Sequence, residues 1–201
     1  MGLNKSENAG TIYLSVANGK LVQQHKQAND NTIERVNKTG RTVYEEFYKD
    51  LTGIITKIET KENDYGKQWQ ILFIDGTDRY LVQMPYSGRY SSSFLKALPN
   101  VKQGEPVRFM PWEMQDKSDA NKKITGVTLY QDQDGNGMTK IPSAYTKEDP
   151  NGLPEMTKAK VKGKIVWDDS EMVQFLEDMA KEWIAKTPVI NDGKDVEEAP
   201  F

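Results

Sequence analysis

Between Leu51 and Gln131 apolar and polar residues alternate in five short runs separated by turn residues, and one helix-length segment falls between the third run and the fourth. A period of two puts successive side chains on opposite faces, so each run can bury one face only and must pair with its neighbours. The first run covers 51–60, Leu-Thr-Gly-Ile-Ile-Thr-Lys-Ile-Glu-Thr, and turns at Asn63-Asp64-Tyr65-Gly66. Gln68–Ile74 follows, then a turn at Asp75-Gly76-Thr77-Asp78 and a third run, Arg79–Met84. Ser91-Ser92-Ser93 can cap a helix through Leu98, which Pro99-Asn100 ends. Glu105–Met114 and Lys123–Gln131 complete the set around the polar loop 115–122.

Strand, strand, strand, helix, strand, strand is the order of an OB-fold barrel, so the expected fold is mainly β, with a five-stranded barrel. Residues 11–24 add an N-terminal hairpin, because Ile12, Leu14 and Val16 alternate with polar positions and Asn18-Gly19 supplies the turn. The stretch 25–41 has no period. After Asp132 the chain is loop-rich, then reads as one strand over 158–167. Asp168 and Glu171 have capping-box spacing for a helix to about Lys186. On that helix Met172, Leu176, Met179 and Trp183 form an apolar face with Val173, Ala180 and Ile184, suited to packing on the barrel. The expected organisation is a disordered start (1–10), a binding domain with its hairpin (11–131), a loop, strand and helix (132–190) and an acidic tail (191–201).

His25 is the sole histidine and there is no cysteine, so neither a hydrolase triad nor a zinc site can be assembled. Asp132-Gln133-Asp134-Gly135-Asn136-Gly137 matches the first half of a calcium loop, but Ser143 stands where the bidentate Glu belongs. The expectation is a polar turn there, no metal, no cofactor and no enzymatic activity. No stretch approaches the roughly 18 apolar residues of a membrane span. The start Met-Gly-Leu-Asn-Lys-Ser lacks the apolar core of a secretion signal, so the expected setting is cytoplasmic.

Net charge is −3, unevenly spread: residues 1–130 carry 18 Lys and Arg against 15 Asp and Glu, whereas 191–201 carry 1 against 4. Within the mildly basic front, aromatic rings sit beside cations. Lys67 with Trp69, Arg79 with Tyr80, Tyr86 and Tyr90 around Arg89, and Arg108 with Trp112 each pair a ring with a positive charge. Single-stranded nucleic acid needs both, because bases stack on rings while Lys and Arg follow the phosphates. Phe73 and Phe109 are expected in the core.

With these features the chain resembles single-stranded-DNA-binding proteins of the replication type, most closely those of bacteriophages. The segments Ser15-Val16-Ala17-Asn18-Gly19-Lys20, Asn63-Asp64-Tyr65-Gly66-Lys67 and Gly126-Val127-Thr128-Leu129 carry the resemblance in the body of the chain. At the end, Asp195-Val196-Glu197-Glu198-Ala199-Pro200-Phe201 is similar to the acidic Pro-Phe tip by which bacterial members recruit replication and repair enzymes. Lys194 and Val196 interrupt its acids. The resemblance implies a protein that coats single-stranded DNA without sequence preference during replication, recombination or repair. Its tail residues Asp195, Glu197, Glu198, Pro200 and Phe201 would meet partner proteins, in a bacterial host's cytoplasm if the gene belongs to a phage. Two rival expectations are an OB-type module for protein or oligosaccharide, and a structural accessory phage protein whose helix 169–186 is the working surface. A homo-oligomer stays open.

Overall fold

The computed structural model describes residues 10–188 apart from 38, 65, 162 and 163. The tail residues Asp195, Glu197, Glu198, Pro200 and Phe201, and the expected disordered start apart from Gly10, lie outside the described residues. β1 (Thr11–Ala17) and β2 (Lys20–His25) form the expected hairpin. Its turn residues Asn18 and Gly19 have φ of 50° and 71°, the paired positive values that match the twist of the flanking strands. β3 (Ile33–Val36) and β4 (Thr42–Tyr48) follow. The meander is β5 (Leu51–Asn63), β6 (Gly66–Asp75) and β7 (Asp78–Pro85), then α1 (Arg89–Ala97) and a 3₁₀ turn (Leu98–Asn100). β8 (Val107–Gln115), β9 (Lys123–Gln131) and the short β10 (Thr139–Lys140) precede a separate hairpin, β11 (Thr157–Val161) and β12 (Lys164–Asp168). α2 (Ser170–Ala185) is last.

The fold is mainly β with a C-terminal helix, but the expected closed five-stranded barrel does not form. Ten strands make one open sheet in the order β10-β9-β8-β5-β6-β7-β1-β2-β4-β3. The segment β9-β8-β5-β6-β7 would become a barrel if β7 met β9, and two features hold that seam open. β1 takes the edge of β7 in parallel, Thr11–Ser15 against Arg79–Gln83. α1 lies against β9 and β7 at the gap, where the Val127 amide donates to Ser93 Oγ at 2.7 Å instead of to another strand. An edge amide satisfied this way gives no template for further pairing. The sheet still curls: a Cβ added at Gly19 would lie 2.5 Å from the amide nitrogen of Glu113, so the β1–β2 turn rests on β8.

One core fills the curl. Leu14, Ile55, Ile71, Val82 and Leu129 meet the Phe73, Phe94 and Phe109 rings, whose centroids are 5.8 Å apart for both Phe73–Phe109 and Phe94–Phe109. Met172, Val173, Leu176, Ala180 and Trp183 of α2 join the same cluster, and each large apolar side chain buried there contributes about 1.5–3 kcal/mol.

Several local expectations change. The aperiodic stretch contains β3 and leads straight into β4. α1 starts at Arg89 behind Gly88, and no side chain caps it. Ser91 and Ser93 instead hydrogen-bond carbonyls, of Pro85 for the first and of Arg89 and Tyr90 for the second. The capping box at α2 is absent too: Asp169 is the N-cap without a side-chain bond, and Asp168 accepts from the Ser170 amide at 3.0 Å and hydroxyl at 2.6 Å. The single strand expected over 158–167 is two strands.

Candidate nucleic-acid interface

Of the nine side chains expected to bind DNA, two are held by one carboxylate, Glu177, and a third is stacked against them. Lys67 and Trp69 project from β6, and Tyr86 follows β7. Trp69 is 2% exposed; its Nε1 donates to the Tyr86 carbonyl at 3.0 Å, and the two rings stack at 5.8 Å and 21°. Lys67 Nζ lies 4.1 Å from the Tyr86 ring centroid and donates to Glu177 Oε2 at 2.7 Å. The Tyr86 hydroxyl donates to the same oxygen, and Lys181 Nζ reaches Oε1 at 2.9 Å. Burial alone would push the Glu177 carboxyl up, but hydrogen bonds from Lys67, Tyr86 and Lys181 hold it down at about 2. The bond to Glu177 raises Lys67, and burial above all raises the Tyr86 phenol. Trp69 therefore has no face for a base, and Lys67 has its counter-charge.

Glu177 was missed in the sequence, although the signal was there. It stands four residues after Val173 and three before Ala180, inside the apolar stripe of α2, and it is 4% exposed. A carboxylate at a core position of an amphipathic helix demands a cation from the facing element.

Arg79 is 6% exposed, paired in the ladders with Ile74 and Thr11, and is not open to a phosphate chain. Tyr80 is half-buried beside a cavity of about 320 Å³ lined also by Tyr48, Asp50 and Asp75. Tyr90 is half-buried, its hydroxyl accepting from the Gly19 amide at 2.9 Å. The segment Tyr86–Tyr90 thus has both rings engaged, because α1 begins inside it. Ser87, Gly88 and Arg89 are exposed there, and Arg89 donates to the Lys123 carbonyl at 3.3 Å.

The remaining pair, Arg108 and Trp112, shares one face of the β8–β9 ladder. Directly opposed residues in such a ladder share a face, so Arg108 stands with Tyr130 across β9 and Thr52 across β5, while Trp112 stands over Gly126. The contact is close: a Cβ on Gly126 would lie 2.5 Å from Trp112 Cζ2, so the indole lies on bare backbone. Arg108, Trp112 and Tyr130 are all half-buried, and Arg108 Nε is buried with no hydrogen-bond partner among the described residues. The adjoining β8–β9 loop carries the exposed Lys117 and Lys122. Tyr130 is a second residue that sequence reasoning passed over; its alternation with Thr128 on β9 placed it on this face.

The calcium-like segment forms a turn in which the Gly135 amide donates to Asp132 Oδ1 at 2.7 Å, and no group of three or more acidic or histidine side chains among the described residues is placed to hold a metal. Among the described residues no helix is long and apolar enough to cross a membrane. No family model matches the chain, and neither a curated protein nor a solved structure matches it.

Proposed function

We infer that the chain binds single-stranded DNA across the outer face of β8 and β9, without sequence preference and without catalysis. The observation that carries this reading is Arg108. Its half-buried guanidinium has no carboxylate partner among the described residues, so a phosphate oxygen brought alongside it gains a charge-assisted hydrogen bond. Tyr130 opposite it and Trp112 four residues along β8 supply ring faces for bases, and Arg89 with the loop lysine Lys117 extends the positive charge. The acidic tip Asp195–Phe201 would then stay outside the DNA face and dock replication or repair proteins, Phe201 offering its ring and Glu197 and Glu198 their charge.

Oligothymidylate and a duplex of equal length, titrated at several salt concentrations, test this. Single strands should bind more tightly, log K should fall by about 0.7 per neutralised phosphate on log salt, and Arg108→Gln should weaken binding about tenfold or more. Equal affinity for duplex, or a response flat in salt, sinks the reading.

The cavity beside Tyr48 and Tyr80 favours a second reading. Asp50 and Asp75 on its wall oppose a phosphate but suit the hydroxyls of a neutral sugar. Calorimetric titration with neutral oligosaccharides, abolished by Tyr80→Ala, would support it.

A further inference from the structure

The β11–β12 hairpin stands apart from the ten-stranded sheet, its strands packing on each other and making no extensive contact with another element. A lone two-stranded hairpin is marginal in water and ought to be polar. This one leaves Ile165 71%, Val166 47% and Trp167 58% exposed. In its register Lys158 faces Trp167 and Lys160 faces Ile165. Lys158 and Lys160 are two residues apart on β11, so one face carries two lysines opposite a tryptophan and an isoleucine. Lys158 Nζ lies 5.0 Å from the Trp167 ring centroid. Among the described residues neither Lys158 nor Lys160 has a carboxylate partner. In sequence, lysines recur at 158, 160, 162 and 164, and no acidic residue intervenes before Asp168.

We propose that this hairpin is a second single-stranded-DNA contact, an arm on which one base stacks against Trp167 while Lys158 and Lys160 follow the phosphates. The proposal rests on the single-strand-binding reading above and adds a site to it. A lysine at every second position deters edge-to-edge strand pairing, which accounts for the charge but not for an exposed tryptophan beside it. A polyanion with flat apolar bases meets both features at once. The arm is also anchored near the DNA face: Ser87 Oγ donates to Asp169 Oδ2 at 2.6 Å, tying the end of β12 to the loop that precedes Arg89.

The test uses the full chain and three variants, Trp167→Ala, Trp167→Phe and Lys158→Glu/Lys160→Glu, with oligothymidylate as the probe. Trp167 is exposed, so all three variants should melt at the wild-type temperature. Trp167→Ala and the double charge reversal should each weaken binding about ten- to a hundredfold. Trp167→Phe, which keeps a ring, should retain most of the affinity but lose the share of the DNA-induced fluorescence quenching that comes from Trp167, leaving that of Trp112. If wild type binds oligothymidylate and the variants bind equally well, the arm is overturned and the β8–β9 reading survives. If wild type does not bind it at all, both fall. Binding of wild type to vesicles of equimolar phosphatidylcholine and phosphatidylglycerol, lost in the variants while DNA affinity is kept, would also overturn the arm.

Discussion

Two regions of this protein hold the same residue types in opposite states. At the α2 contact Lys67 and Tyr86 converge on Glu177 with Trp69 stacked behind, while on the β11–β12 hairpin Lys158 faces Trp167 and Lys160 faces Ile165, with no carboxylate partner among the described residues. Both place a lysine near an aromatic ring, at 4.1 Å in the first and 5.0 Å in the second. A cation beside a ring is thus no signature of a ligand site. What separates the two is whether the fold supplies a carboxylate, since a neutralised lysine on a buried ring has nothing left to offer a phosphate.

The widest test of that contrast compares the two tryptophans. Trp69→Ala empties a site 2% exposed at the centre of the core, and the expected loss is about 3–5 kcal/mol. Trp167→Ala removes a ring that is 58% exposed, and stability should stay within about 0.5 kcal/mol. Chemical denaturation of both variants at neutral pH measures the difference. Equal losses would mean that the hairpin is a packed element and that the contrast is false.

Glu177 sharpens the same comparison through pH. Its carboxyl is held at about 2 against an ordinary 4.5, so the native state binds its proton less readily than the unfolded chain does. The stabilisation is complete above about 4.5 and disappears as pH falls towards about 2. Over that window this group should account for about 3 kcal/mol. Glu177→Gln should lower stability at pH 7 and flatten the decline below pH 5, read by thermal melts across the range. An unchanged acid limb in the variant would remove Glu177 from the centre of the α2 contact.

Gly126 probes the proposed binding face. Alanine there brings a methyl group to 2.5 Å from Trp112 Cζ2, and displacing the indole should cost about 1–3 kcal/mol. Oligothymidylate affinity should fall with it, whereas the hairpin, which shares no residue with this face, should still quench through Trp167.

How much of this was legible beforehand differs between the regions for the same reason. The meander and the β8–β9 pair alternate cleanly because one face meets an apolar core, so Lys123–Gln131 reads as a strand with its true limits. β4 was unreadable: the inward position Glu45 is charged, neutralised by Arg35 of β3 at 2.6 Å, and such a pair breaks the apolar alternation. The seam between β7 and β9 depends on β1 arriving in parallel from residues 11–15, a long-range choice that no local pattern carries. At the site, ring and cation were readable as types, but burial was not. Trp69 and Trp167 look alike in sequence, each two or three residues after a lysine, and only the helix carrying Glu177 distinguishes them.

The smallest effect is also the most discriminating, because it reads charge without disturbing the fold. Each lysine that neutralises a phosphate releases a counterion and steepens the dependence of log K on log salt by about 0.7. Lys158→Ala/Lys160→Ala should therefore make the slope for oligothymidylate shallower by about 1.4. Lys67→Ala should leave the slope unaltered even though it weakens the protein, because its charge is matched by Glu177 at 2.7 Å before any DNA arrives. The measurement separates slope from intercept, so a variant that is merely less stable shifts the line without tilting it. If Lys67→Ala tilts the line and the hairpin pair does not, the roles of the two regions are reversed: Glu177 would then release Lys67 on binding, and α2 would be the element that moves.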